Sequence, residues 1–114
     1  MTDHAPINTS QAAMRLVAQT MFYNKADAER LMQFLADAYA PMLLDEQTPI
    51  QKAVAFAAMR RVLGKIRVQK WIVMEKHEIV ARMESEHGTR FVVELKCEDA
   101  YPHKIVYFMQ HPSS

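Results

Sequence analysis

Hydrophobic residues change their spacing near Gly64, and this change divides the chain into two parts. Before Gly64 they recur every three or four residues, which is the period of an amphipathic helix. After Gly64 they alternate with other residues, which is typical of β-strands. The pattern therefore predicts a group of N-terminal helices followed by a β-sheet.

Three helices are predicted in the first part, at about residues 9–23, 26–39 and 49–63. Asn8 is expected to cap the first helix, because its side chain can accept a hydrogen bond from a free backbone N–H group. Pro41 is expected to end the second helix, since its ring cannot continue the hydrogen-bond ladder.

The third helix carries the clearest local signal in the chain. Thr48 can cap it, Pro49 fits the first helical position, and Gln51 can reach back to the Thr48 amide. Gly64 is expected to end the helix in the left-handed conformation. Residues 53–59 are apolar nearly all round, so this helix is expected to be buried on more than one side.

The second part predicts four strands joined by short turns, as in an antiparallel meander. Placing Met83 opposite Phe91 leaves a three-residue turn at 86–88, whose glycine takes the left-handed conformation. This register also brings Glu84 opposite Arg90 as a cross-strand ion pair. The predicted fold class is α+β, with three N-terminal helices on one face of a four-stranded antiparallel sheet.

Alternation assigns each strand residue to one of the two faces of the sheet. In the first predicted hairpin, Trp71 lies opposite Arg82. The face expected to pack on the helices holds Ile66, Val68, Ile72, Met74, Ile79, Ala81, Met83, Phe91, Val93, Leu95, Cys97, Ile105, Tyr107 and Met109. Apolar residues on the outer face are Trp71, Val73, Val80, Val92, Val106 and Phe108. A solvated face rarely holds so much apolar area, so the outer set predicts a homodimer interface.

Composition narrows the classes of function. The 114 residues fit a single domain, expected at 9–112 between a flexible segment 1–8 and a tail at 113–114. A net charge of +1 argues against a nucleic-acid-binding protein. No targeting signal is evident, and no apolar run approaches the ~18 residues that span a membrane, so a cytoplasmic protein is expected.

Four short stretches resemble the nuclear transport factor 2 superfamily, which includes the SnoaL-like proteins. They are Asn24-Lys25-Ala26-Asp27-Ala28-Glu29, Phe34-Leu35-Ala36-Asp37-Ala38-Tyr39-Ala40-Pro41, Gly64-Lys65-Ile66 and Tyr101-Pro102-His103-Lys104-Ile105. The chain is similar to the small domain of this type found beside serine β-lactamase-related hydrolases. The resemblance implies a cone in which helices pack on the concave face of a curved sheet, and often a homodimer through the convex face.

A pocket between the helices and the concave face is also implied by this resemblance. Candidate lining residues are Tyr39, Met42, Phe56, Met59, Lys70, Met83, Phe91, Tyr107 and Met109. Methionine adapts to irregular spaces, so these side chains can line a pocket for a small apolar ligand or fill a core. Lys70 is either a cation in the pocket or a residue that a bulge lets reach solvent.

The residues predicted to face the pocket give little support for a catalytic site. An isomerase or dehydratase needs an inward acid or base, yet Glu84 and Glu94 fall on the outer face and no inward strand position holds a carboxylate or histidine. The five histidines do not cluster in the sequence, so no metal site is expected. Cys97 has the pattern of a buried apolar residue, and one cysteine gives no disulfide framework.

The interpretation that follows is a non-catalytic small-molecule-binding or association domain that homodimerises through the outer sheet face. No cofactor is expected. The alternative is a small-molecule isomerase, dehydratase or cyclase acting in the cone pocket, with Asp45 or Glu46 as its acid or base.

Overall fold

The computed structural model describes residues 9–113, in which four helices are followed by a four-stranded antiparallel sheet in the order β1-β2-β3-β4. The predicted α+β class is confirmed, and the expected flexible segment 1–8 lies outside the described residues. The helices are α1 (Gln11–Lys25), α2 (Ala28–Ala38), α3 (Pro41–Glu46) and α4 (Pro49–Leu63). The strands are β1 (Ile66–Met74), β2 (Glu78–Ser85), β3 (Arg90–Cys97) and β4 (Ile105–Pro112).

Ser10, and not Asn8, caps α1. Its hydroxyl oxygen accepts a hydrogen bond from the Ala13 amide at 3.0 Å and donates one to the Glu75 carbonyl at 2.5 Å. Ser10 is buried, so this cap also ties the start of α1 to the turn between β1 and β2. The sequence pattern placed the helix two residues too early because both asparagine and serine make good caps.

The short helix α3 was not predicted. Tyr39 leaves α2 in extended conformation and forms a single parallel bridge with Ile105 of β4, and the Ala40 amide donates to the Ile105 carbonyl at 2.8 Å. Pro41 then begins α3, because its missing N–H group is not needed at the first helical position. Proline thus ends one helix and starts the next.

The predicted start of α4 is confirmed. Gln51 donates its amide to the Thr48 hydroxyl at 3.2 Å, and the Thr48 amide donates to the Gln51 side chain at 2.9 Å. The expectation that α4 is buried on more than one side is wrong. Only Ala53 is fully buried, and the other side of the helix faces solvent.

The hairpin between β2 and β3 has the predicted register. Met83 pairs with Phe91, and Glu84 pairs with Arg90, whose Nε lies 3.1 Å from a Glu84 carboxylate oxygen. Gly88 has a φ of +87°, as expected for the three-residue turn. Alternation predicts this hairpin correctly because the pairing of β2 with β3 contains no bulge.

Two irregularities in β1 overturn the predicted faces of its middle residues. The register shifts between Val68 and Lys70 and again between Trp71 and Val73. Lys70 therefore pairs with outward-facing Arg82 and is exposed, so it is not an inward pocket residue. Trp71 pairs with Ala81 and packs against the core, so its predicted place on the outer face is wrong.

A third irregularity, between Ile105 and Tyr107, has the same effect in β4, where Val106 has no cross-strand partner. Beyond it, Phe108 pairs with buried Leu95 and packs against the core. Tyr107 pairs with Lys96 and Met109 pairs with Glu94, so both lie on the outer face. The predicted faces of Tyr107, Phe108 and Met109 are all reversed, because one extra residue inverts the alternation that follows it.

The core lies between the sheet and helices α1 and α2. Its completely buried side chains include Leu16, Leu35, Tyr39, Ile79, Met83, Val93, Leu95 and Ile105. The Tyr39 hydroxyl donates to the Gln19 side-chain oxygen at 2.7 Å, so these two buried oxygen atoms have a hydrogen-bond partner inside the core. Among residues 9–113, no helix is long and apolar enough to cross a membrane.

Candidate functional site

The space between α1 and the sheet is filled. A void of about 10 Å³ remains there, lined by Phe56, Met83, Phe91 and Phe108 among others. A cavity of this size holds at most about one water molecule. Phe56, Met83 and Phe91 therefore lie where the implied pocket was expected, but they fill that position as core residues.

A side cavity of about 180 Å³ opens between α4 and the end of β4. It is lined by Tyr39, Gln47, Lys52, Ala55, Phe56, Met59, Phe108 and Gln110. Three predicted pocket residues, Tyr39, Phe56 and Met59, meet here. The prediction missed Lys52 and Gln110, because it drew its pocket candidates from apolar residues and inward strand positions.

Lys52 is the charged group of this side cavity. Its Nζ lies 4.7 Å from the centre of the Tyr39 ring and 3.4 Å from the Gln47 side-chain oxygen. Burial lowers the pKa of Lys52, and the nearby Glu46 carboxylate opposes this effect. Burial also raises the pKa of Tyr39. The cavity can thus offer a cation and amide groups, but its lining holds no carboxylate or histidine that could act as a general base.

We expect Lys52 to titrate below the other lysines in an NMR titration. Because the folded chain binds this proton less tightly than the unfolded chain, the free energy of unfolding should rise with pH through the folded pKa towards 10.5. Lys52→Met should abolish this rise, and Glu46→Gln should lower the Lys52 pKa further. Titration of Lys52 together with exposed lysines would contradict the burial described above.

A second opening, here named the helical cleft, lies between the α1–α2 junction and α4. Its volume is about 300 Å³, and its walls are mostly apolar. It is lined by Tyr23, Ala26, Asp27, Ala28, Leu31, Ala53, Phe56, Ala57, Arg60 and Arg61. Of the predicted pocket residues only Phe56 reaches it, because the cleft depends on how α2 packs against α4 and not on the sheet.

The other predicted pocket residues lie elsewhere. Lys70, Tyr107 and Met109 are on the outer sheet face, as described above. Met42 lies on α3 with 60% of its surface exposed and lines neither the side cavity nor the helical cleft. The acids named for the enzymatic alternative, Asp45 and Glu46, are exposed at the end of α3 and line neither opening.

The outer sheet face has a different apolar set from the predicted one, because Trp71 and Phe108 are absent from it. Val73, Val80 and Val92 remain there, and they are joined by Tyr107 and Met109, which pair with Lys96 and Glu94. Glu84 bonds to both Arg67 and Arg90, and Glu94 lies 2.5 Å from His111. Val80 pairs with Glu94, and Val92 pairs with Arg82 and His111, so charged side chains flank these valines, as is usual for a solvated sheet face.

Two histidines that are distant in sequence meet at the end of the sheet. The rings of His77 and His103 stack with centres 5.4 Å apart, and His77 Nδ1 lies 2.9 Å from Asp99. The described residues nevertheless contain no group of three or more side chains that could hold a metal ion. Neighbouring Cys97 is buried, and burial raises the pKa of its thiol to about 11, which disfavours a nucleophilic thiolate.

Compared with known proteins, the chain matches no family model, no curated protein and no solved structure significantly. The fold and its openings therefore carry the functional argument.

Proposed function

We propose that this chain is a non-catalytic association domain that pairs with a second copy of itself through one face of α4. The observation that carries the proposal is a row of solvent-exposed apolar side chains at every fourth position of that helix. Ile50, Val54 and Val62 expose 63%, 63% and 76% of their surface, with Ala58 between them. These four residues are called the α4 face below.

The α4 face is the longest exposed apolar row on the helices of residues 9–113, since α1 exposes only Val17 and Met21, at 43% and 42%. The side of α4 that carries it includes only two polar residues, Gln51 and Arg61, whereas a solvated helix face is usually charged. Helix α4 is apolar on two sides, which is why the sequence predicted burial on both. In the isolated chain, other parts of the protein cover only one of these sides. Exposed apolar rows of this kind mark interaction sites.

The spacing of the α4 face suits a second copy of the same helix. Residues four apart form a ridge, and two such ridges interdigitate when the helices cross at about −50°. In an antiparallel pair centred between Val54 and Ala58, the larger Val54 of each copy meets the smaller Ala58 of the other. Ile50 then meets Val62, so the row is complementary to itself, as a two-fold interface requires.

The sheet face is the weaker candidate for this interface. The predicted interface had six residues, and its two aromatic members, Trp71 and Phe108, pack against the core. The filled interior and the exposure of Asp45 and Glu46 support a non-catalytic role over the isomerase, dehydratase or cyclase alternative. Membership of the nuclear transport factor 2 superfamily stays a proposal, which the order of helices before a four-stranded sheet supports.

Sedimentation velocity at micromolar concentration tests the proposal. We expect a dimer for the unmodified chain and a monomer for Val54→Glu and for Val62→Glu, because a buried unpaired carboxylate opposes association. Met109→Glu on the outer sheet face is the matched control and should remain dimeric. A monomeric unmodified chain would refute self-association, and a dimer lost only in Met109→Glu would return the interface to the sheet.

A further inference from the structure

We propose that the helical cleft binds a small apolar molecule that carries one carboxylate group. This goes beyond self-association, because the site is formed within a single chain. The cleft is separate from the filled interior, and no strand residue lines it. Three observations carry the inference: the apolar walls, the incompletely bonded arginines at one edge, and the engagement of the nearby acids.

The walls of the cleft fit an apolar body. Leu31 from α2 faces Ala53 and Ala57 from α4, and the rings of Tyr23 and Phe56 meet edge to face with centres 6.1 Å apart. The alanines leave space that larger side chains would fill. At about 300 Å³ the cleft is at the lower end of the range for ligand sites, with room for about ten non-hydrogen atoms.

Arg60 gives the cleft an under-used set of hydrogen-bond donors. Its Nη2 donates to the Asn24 carbonyl at 3.1 Å, while its Nε is buried and bonded to no acceptor among residues 9–113. A guanidinium has five N–H donors. The buried Nε cannot reach a molecule in the cleft, so the donors left for a ligand are the N–H groups of Nη1 and the second N–H of Nη2. Arg61 lies beside it on the cleft edge and makes no hydrogen bond or ion pair within the part of the chain described here.

The acids near these arginines already accept hydrogen bonds from other groups. Asp27 accepts a hydrogen bond from the Arg30 amide at 3.1 Å, and its second oxygen lies 3.6 Å from the Arg30 side chain. Glu86 accepts from the Lys65 amide at 2.7 Å, and the Arg60 charge contributes to lowering the pKa of Glu86. The cleft itself is lined by two cations and one acid, which favours an anionic ligand.

A carboxylate is the anion that fits best. Its two oxygens match the parallel donors of a guanidinium, and its single charge equals the net charge of the cleft lining. A fully polar anion such as phosphate would leave the apolar walls uncovered. The predicted ligand is therefore a short fatty acid or an aromatic acid, held by its apolar part and oriented by Arg60 and Arg61.

The test is a titration followed by amide NMR, with octanoate, octanol and inorganic phosphate as probes. Octanoate at millimolar concentration should shift the amides of Ala28, Leu31 and Ala57. The Arg61→Gln variant and the Arg60→Gln variant should each weaken octanoate binding by about tenfold, because a charged hydrogen bond is lost. Octanol binding should change little, and Arg67→Gln on the outer sheet face should leave both probes unaffected.

Two further variants keep the outcome interpretable. Ala57→Phe should fill the cleft and abolish binding of octanoate and octanol alike. Val54→Glu should retain octanoate binding although it disrupts the proposed dimer, so failure of one proposal can be told from failure of the other. The inference is overturned if octanoate shifts no cleft amide, if both arginine variants bind it unchanged, or if phosphate binds as tightly as octanoate.

Discussion

Phe108→Ala should lower the free energy of unfolding by about 3 kcal/mol, whereas Met109→Ala should change it by less than ~1 kcal/mol. The bulge at Val106 turns Phe108 towards the core, where its ring centre lies 6.3 Å from that of Phe56. Met109 lies on the outer face with 43% of its surface exposed. The two residues are neighbours in sequence, so the difference between them reports the bulge directly.

Urea denaturation at one fixed protein concentration measures both values. Because self-association would add to the apparent stability, the measurement is best made in the Val54→Glu background. Tyr107→Ala serves as a second outer-face control, since this ring contacts only the Lys96 ammonium at 5.3 Å among the aromatic and cationic contacts described. Equal losses for Phe108→Ala and Met109→Ala, or a larger loss for Met109→Ala, would mean that β4 alternates without a bulge.

This pair of residues also shows why the sequence predicted the strands better than their faces. A period of two locates a strand and, where the ladder is regular, fixes its register, as in the hairpin of Met83 and Phe91. A bulge adds one residue without changing the apolar composition, since Tyr107, Phe108 and Met109 are all hydrophobic enough for either side. The bulge is stabilised by the packing of side chains against the helices. The alternation of residues along a strand carries no information about that packing.

The helices illustrate the opposite case. The start of α4 follows from Thr48 and Gln51 alone, because a capping box is a local interaction that the sequence specifies completely. The cap of α1 was misplaced because the choice of Ser10 depends on a distant partner, the Glu75 carbonyl. Local chemistry was therefore predictable, and chemistry that depends on tertiary contacts was not.

Most residues of the candidate sites could not be predicted from the sequence, because these sites also depend on tertiary contacts. Arg60 and Arg61 have an ordinary explanation as cations at the end of a helix, where they suit its dipole. Their second role emerges only when α2 lies against α4 and leaves a cleft beside them. The one usable signal was the run of alanines in α4, which leaves space instead of filling it.

Gly64→Ala should lower the free energy of unfolding by about 3 kcal/mol. Gly64 follows α4 with φ +72° and ψ −153°, a combination that costs other residues about 1–3 kcal/mol, and it is not the left-handed helical conformation that we expected. An added Cβ would also lie 2.7 Å from Cδ of Glu86, whose carboxylate accepts a hydrogen bond from the Lys65 amide. Both strain and displacement of Glu86 therefore oppose the substitution.

Gly88→Ala separates these two causes. Gly88 also has a positive φ, +87°, but nothing lies within 4 Å of its added Cβ, so this variant should lose only about 1 kcal/mol. In a Glu86→Ala background, Gly64→Ala should cost about 1 kcal/mol less than in the unmodified chain, because the crowded carboxylate is gone. Equal costs in both backgrounds would assign the whole effect to backbone strain. The connection between α4 and β1 would then depend on the backbone conformation of Gly64 alone.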